Sequence, residues 1–453
     1  MGVSNRLGMK KFLDYQPNQG MLMPAYLSDW LPADHEIHFI SEAVDQLDLS
    51  AIERAYSGGG RPAYDPRMMV KVLFYAYRLG VRSSRQIERL LYENIPMRVL
   101  AGNQQPDHWT INQFRRRHQE ALAQLFKQTV LLAAHAGLVG LSHVAIDGTK
   151  VKANASRHSA MSYGRMEEAE RRLEAEIQAY LKGAAEEDVR EDQELGDRRG
   201  NELPPQLKEA KKRLEAIRKA KGQLEAEARA KEEERRAAAE REGKRPRRPK
   251  GEGKPKARTQ YNFTDPDSRI MKASDGFVQG YNAQLAVDAK AQIIVAADLT
   301  NRAADAPHLP GIVEQIQANC GGLPREMSAD AGYYSEANVL ELERRGIEGF
   351  IPPEKIRHMH WRTAKAPRGR IPKNLDRRGR MMRKLSTKRG KARYKLRQTT
   401  VEPVIGQMKW NRNFRQLLRR GLTAARLSWL FECAVHNLLK VASAMRARKL
   451  AIA

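Results

Sequence analysis

A chain of 453 residues is too long for one ordinary domain and long enough for two or three, which excludes a small disulfide- or metal-stapled scaffold. Its 81 Lys and Arg against 54 Asp and Glu leave a formal charge of +27, an excess that points to a polyphosphate partner because each added cation releases counterions there. The two cysteines, Cys320 and Cys433, stand outside any CxxC or Cys/His ligand spacing, so a disulfide framework and a structural zinc site are excluded and a reducing cytosol is expected.

Residues 1–60 form an N-terminal segment whose opening, MGVSNRLGMKKFLDY, lacks the apolar run of a signal peptide. Residues 61–140 read as short helices, a helical DNA-binding domain. Asp65 then Pro66 is an N-cap followed by proline in the first turn, and Gly80 closes that helix. Ser83 with Gln86, and Thr110 with Gln113, have capping-box spacing. The second of these helices carries Arg115, Arg116 and Arg117 behind Ile111 and Phe114. A basic helix after a short helix suits a helix-turn-helix reader of DNA, and it equally suits a solvated helix face. The uncharged stretch from Thr129 to Ile146 contains two His and two Gly and reads as a helix end followed by a buried strand, not a membrane span. A cytoplasmic, nucleoid-associated protein is expected.

From His143 the pattern alternates with period two through Val144 and Ile146, which predicts a strand continuing to Lys152. Residues 161–257 then depart into an Ala/Glu/Lys/Arg-rich insertion, with Leu173, Ile177 and Leu181 on one stripe and Leu207, Leu214, Ile217 and Leu224 on another. It reads as a helical hairpin or coiled coil ending in a basic linker, GKRPRRPKGEGKPKAR. Strands are predicted at Phe277 to Asp288 and Ala291 to Thr300, then a helix from Leu309 to Cys320, a strand ending at Asp330, a helix from Ser335 to Arg345 and a strand from Gly349 to Ile351. Residues 351–420 hold 23 Lys and Arg against 3 Asp and Glu, and apolar helices are predicted from about Pro403 to Leu418 and from Leu422 to Met445. Residues 141–160 and 258–447 thus give an α/β core: an antiparallel start, then helices alternating with parallel strands. That is a ribonuclease H-like mixed sheet flanked by helices.

Three carboxylates stand out. Asp147 lies on the first core strand, and Asp330 ends a later one, at the edge where open α/β sheets place reacting groups. Glu402 is the only acid from Arg377 to Phe431, a conspicuous position in a phosphate-binding field unless a divalent cation intervenes. Each has another reading: Asp147-Gly148 as a hairpin turn, Asp330 as a loop residue, and Glu402, before Pro403, as an anion at a helix start. Three oxygen donors can hold two Mg²⁺ or Mn²⁺ ions for in-line phosphoryl displacement. No GxxxxGK[ST] phosphate loop occurs, so no nucleotide is expected.

At these residues the chain resembles bacterial DDE-type insertion-sequence transposases. The matching pieces are AIDGTKVKANAS around Asp147, SADAGYYS around Asp330, YKLRQTTVEPVIGQMKW, and GRPAYDPRMMVKVLFYAYRLG near the N-terminus. Related transposases place Tyr-x2-Arg-x3-Glu-x6-Lys in the third piece. Here Tyr394, Arg397, Glu402 and Lys409 follow that order, with four residues in place of three between Arg397 and Glu402. The resemblance implies catalytic, metal-binding roles for Asp147, Asp330 and Glu402, and DNA contacts by Tyr394, Arg397 and Lys409. It also implies double-stranded DNA partners (element terminal repeats and target) and a homodimer in the synaptic complex. Two rivals remain: a non-catalytic DNA-binding regulator and a nuclease of the same fold. A tyrosine recombinase is excluded because no His is followed three residues later by Arg.

Overall fold

A computed structural model describes residues 26–56, 62–194, 205–241, 254–273, 276–354, 362, 365–370, 372 and 374–452. Residues 1–25 of the N-terminal segment and most of the basic linker lie outside these residues.

The N-terminal half is helical: α1 (Glu36–Asp45), α2 (Ser50–Glu53), α3 (Pro66–Arg78), α4 (Ser84–Glu93), α5 (Ile95–Leu100), α6 (His108–Arg117) and α7 (Gln119–His135). Asp65 caps α3 by accepting from the Met68 amide at 2.9 Å, with Pro66 in the first turn. After α3 the chain turns at Gly80, whose φ of 75° and whose approach to the Arg412 carbonyl, 2.9 Å from where a Cβ would stand, both require glycine. The expected capping boxes do not form. Ser83 makes no side-chain cap bond, and α6 is capped by Asp107, which accepts from the Thr110 amide at 2.6 Å. Thr110 therefore sits within the first turn, because the aspartate three residues earlier captures its N–H.

The sheet begins with β1 (His143–Lys152) and continues, after β2 (Ala160–Ser162), α8 (Tyr163–Glu194), α9 (Pro205–Arg241) and β3 (Gln260–Asn262), with β4 (Arg269–Ala273), β5 (Gly276–Asp288) and β6 (Ile294–Thr300). Then come α10 (Leu309–Cys320), β7 (Glu326–Ala329), α11 (Glu336–Arg344), β8 (Glu348–Phe350), α12 (Arg377–Ser386), α13 (Lys388–Gly406), a π-helical turn Gln407–Asn411 and α14 (Leu422–Ile452). The strand order is β4-β5-β1-β7-β8, with β6 also paired to β5; β5 runs antiparallel to β1, β4 and β6, and β7 and β8 are parallel to β1. This is the expected ribonuclease H-like sheet with helices around it. β1 runs straight through Asp147-Gly148, so the hairpin turn is absent there.

The insertion is a helical hairpin. Leu173 and Ile177 on α8 pack against Leu214, Ile217 and Leu224 on α9, whereas Leu181, 41% exposed, lies beyond that contact. β2 and β3 pair antiparallel at its base, and Arg269 holds Glu227 of α9 through both carboxylate oxygens at 2.8 Å. No helix among the described residues is long and apolar enough to cross a membrane.

The basic stretch before Pro403, where the sequence predicts no element, contains α12 and most of α13. The apolar helix expected from about Pro403 to Leu418 is not separate: Pro403 lies inside α13, which ends at Gly406 and passes through the π-helical turn into non-helical chain. Proline lacks the N–H that would bond the carbonyl four residues back. That carbonyl, of Thr399, instead accepts from Gln292 Nε2 at 3.1 Å, so the helix passes through the proline. Glu402 is accordingly in a helix interior, not at a helix start.

One apolar core runs from the N-terminal helices (Ile37, Leu73, Phe126) through the sheet (Ile146, Leu285, Ile294) to α14 (Trp429, Leu438). Where α3 ends, buried Arg82 pairs with Glu432 of α14 and donates to the Arg412 carbonyl at 2.8 Å.

Candidate active site

The pairing of β1 with β7 sets the first two acids. Ile146 is in register with Ala329, so Asp147 and Asp330 each stand one residue further along adjacent parallel strands. Asp147 accepts from the Gly148 amide at 2.9 Å, and Asp330 caps a short 3-10 turn by accepting from the Gly332 amide at 2.9 Å. Burial pushes the Asp147 carboxyl up to about 6 against the opposing pull of Arg397, with Asp330 and Glu402 adding to the rise. Burial also raises Asp330, assisted by Asp305. Both acids feel charges of like sign across one small space.

α13 brings the third acid. Arg397 donates from Nη1 to Asp147 Oδ2 at 2.7 Å and from Nη2 to Glu402 Oε1 at 2.8 Å. The extra residue between Arg397 and Glu402 leaves that contact intact, since the long guanidinium arm spans it. Arg397 is nearly buried and Glu402 is 44% exposed. Tyr394 is buried among Val339, Phe350, Met381 and Leu385, with the Arg397 guanidinium 6.0 Å from its ring centroid. Lys409, in the π-helical turn, donates to the Lys150 carbonyl of β1 at 3.0 Å. The three arginines of α6 differ from one another. Arg115 is tied to Ser84 and to the Arg82 carbonyl, Arg117 to the Ala55 carbonyl and the Tyr56 ring, and Arg116 is exposed.

A fourth acid was not singled out by the sequence. Asp305 accepts from Asn282 Nδ2 at 2.7 Å and Gln284 Nε2 at 2.9 Å, and pairs with Lys150 at 3.5 Å. Gly148 permits this packing, because a Cβ there would lie 2.7 Å from Asp305 Oδ1. Asn282 and Gln284, alternating with the buried apolar residues Tyr281, Ala283 and Leu285, were the available signal: buried amides need partners.

Among the described residues no three acidic, histidine or cysteine side chains stand close enough together to form a metal-binding group. Arg397 supplies the positive charge between Asp147 and Glu402. The donors are carboxylate oxygens, the set preferred by Mg²⁺ and Mn²⁺, and two of them are held partly desolvated. The residues fit such ions in kind, provided that Arg397 releases one carboxylate.

Two family models match the chain: a transposase domain (DUF772) over residues 25–117 and a transposase DDE domain over residues 217–438. The second match includes Asp330 and Glu402 and begins after Asp147. Neither a curated protein nor a solved structure matches. Fold and family agree, and the chain belongs to the DDE-type insertion-sequence transposases. It is thus a protein of a nucleic-acid-processing enzyme family that acts on DNA and typically uses divalent metal ions.

Proposed function

We propose that the chain cuts the phosphodiester at insertion-element ends and transfers the freed 3′-hydroxyl into target DNA, with Asp147, Asp330 and Glu402 as catalytic residues. The observation that carries this is the link of Asp147 and Glu402, from remote stretches, through one guanidinium beside Asp330. Two Mg²⁺ or Mn²⁺ ions held by these three carboxylates would supply the Lewis-acid polarisation that phosphoryl displacement needs.

The protein's own groups do the rest. The β1/β7 register fixes Asp147 and Asp330 side by side, so little reorganisation is needed at two of the three donors. Arg397, once released from a carboxylate, carries its charge to a DNA phosphate, and Lys409, anchored on β1, stands ready for the next. Tyr394 buttresses Arg397 from its buried site. Of the three α6 arginines expected at DNA, Arg116 extends the DNA-binding surface, whereas Arg115 and Arg117 are engaged within the fold. The DNA partners are the terminal repeats and the target duplex, engaged by a homodimer.

Replacing Asp330 by Asn tests this. The expected result is DNA binding retained and strand cleavage lost; unaltered cleavage would overturn it. Assaying joining of a 3′-hydroxyl end separates transposition from plain nuclease action.

A further inference from the structure

A cleft of about 910 Å³ opens between the N-terminal helices and the segment leading into α14. Arg82, Arg85, Arg115, Arg116, Arg419 and Arg420 line it, against one acid, Glu432, which is already paired to Arg82. Arg85, Arg116 and Arg419 have no hydrogen-bond or ion-pair partner among the described residues. Burial, then the charges of Arg116 and Arg115, pull the Arg419 guanidinium below its ordinary value. Such crowding of like charges is unfavourable unless an anion enters. Trp109, 64% exposed, also lines the cleft and offers a flat apolar face beside these cations.

The cleft is continuous with the strand that carries Asp147. Beyond β1, Asn154 donates to the Leu418 carbonyl at 2.9 Å and its own carbonyl accepts from Arg420 Nε at 3.1 Å. Leu417 donates to the Lys152 carbonyl at 2.8 Å, which fixes the far wall to the same strand end. Asn154 lies seven residues after Asp147, five of them on β1 before a bend, so the two are at most about 23 Å apart, or roughly seven base pairs of duplex rise.

We infer that this cleft is a second DNA seat, where Arg85, Arg116, Arg419 and Arg420 grip the sugar–phosphate backbone of the element-end duplex at a distance from the point of cleavage. The inference rests on the transposase reading above and adds the place where the helical region and the core bind the duplex jointly. It also divides the arginines of α6: Arg116 faces DNA, while Arg115 and Arg117 hold the fold.

The test is fluorescence anisotropy of a labelled mixed-sequence duplex of about 30 base pairs, titrated with full-length protein between about 50 and about 200 mM salt. The double variant Arg116→Gln/Arg419→Gln is expected to reduce the slope of log affinity against log salt by about 2, and to lower affinity at the low-salt end at least tenfold. Its Tm should be unchanged or higher, because the substitution relieves repulsion. An unchanged slope overturns the inference, and so does a fall in Tm, which would make these arginines structural. Cleavage by Asp330→Asn would defeat the catalytic reading and leave the cleft standing; wild-type binding by the double variant would do the reverse.

Discussion

Asp147 and Glu402 hold two nitrogens of the same guanidinium, that of Arg397, at 2.7 and 2.8 Å. Strand β1 and helix α13 are thereby joined at the site, and two like charges share one counterion. Replacing Arg397 by Ala should cost roughly 2 kcal/mol in chelator, a low figure within the range for hydrogen bonds to charged groups because Glu402 is half-exposed. Mn²⁺ should then raise the Tm of the variant more than that of the wild type, since it meets carboxylates without a competing cation. Thermal unfolding with and without Mn²⁺ checks this, and equal metal-induced shifts would count against it.

The helical half is locked to the core by Arg82 and Glu432, whose side chains are 9% and 1% exposed. Removing one member of a buried pair strands the other, so Glu432→Ala should cost about 3–5 kcal/mol in urea unfolding. Arg82→Met with Glu432→Leu should recover most of the loss. A single-variant cost below about 1 kcal/mol would place the pair with surface ion pairs.

Gln292 and Pro403 should be energetically coupled. Gln292→Ala leaves the Thr399 carbonyl without its donor, at about 0.5–1.5 kcal/mol for one hydrogen bond. In a Pro403→Ala background the alanine N–H can take that place, and the cost should shrink to the loss of the separate Lys440 contact with Gln292 Oε1. A double-mutant cycle measures the difference; a zero coupling energy would mean that Gln292 does not mend the helix.

Five of the six strands of the sheet were legible because they carry period-two or continuous apolar patterns, and Asp147 and Asp330 lie in or at the end of such strands; β4 was not, because its five residues, RIMKA, carry neither. Glu402 was legible for a different reason, as a lone acid among cations. Its helix was not: nothing local reveals that Gln292, in the connection between β5 and β6, replaces the N–H that Pro403 lacks. Asp305 escaped notice because a loop carboxylate has no pattern, and its partners come from a strand 21 and 23 residues earlier. Arg115, Arg116 and Arg117 are equivalent as letters. Only the tertiary contacts of α6 commit two of them to the fold and leave one facing the cleft.

Catalysis by this site requires three distant carboxylates to converge on the same divalent ions. Fe²⁺ loaded in place of Mg²⁺, then treated with ascorbate and peroxide, generates radicals that cut backbone close to the bound ion. Cuts near Asp147, Asp330 and Glu402 together, suppressed by excess Mg²⁺ and absent from Asp330→Asn, are the predicted result. Cleavage at one of these segments alone, or at none of them, would contradict it.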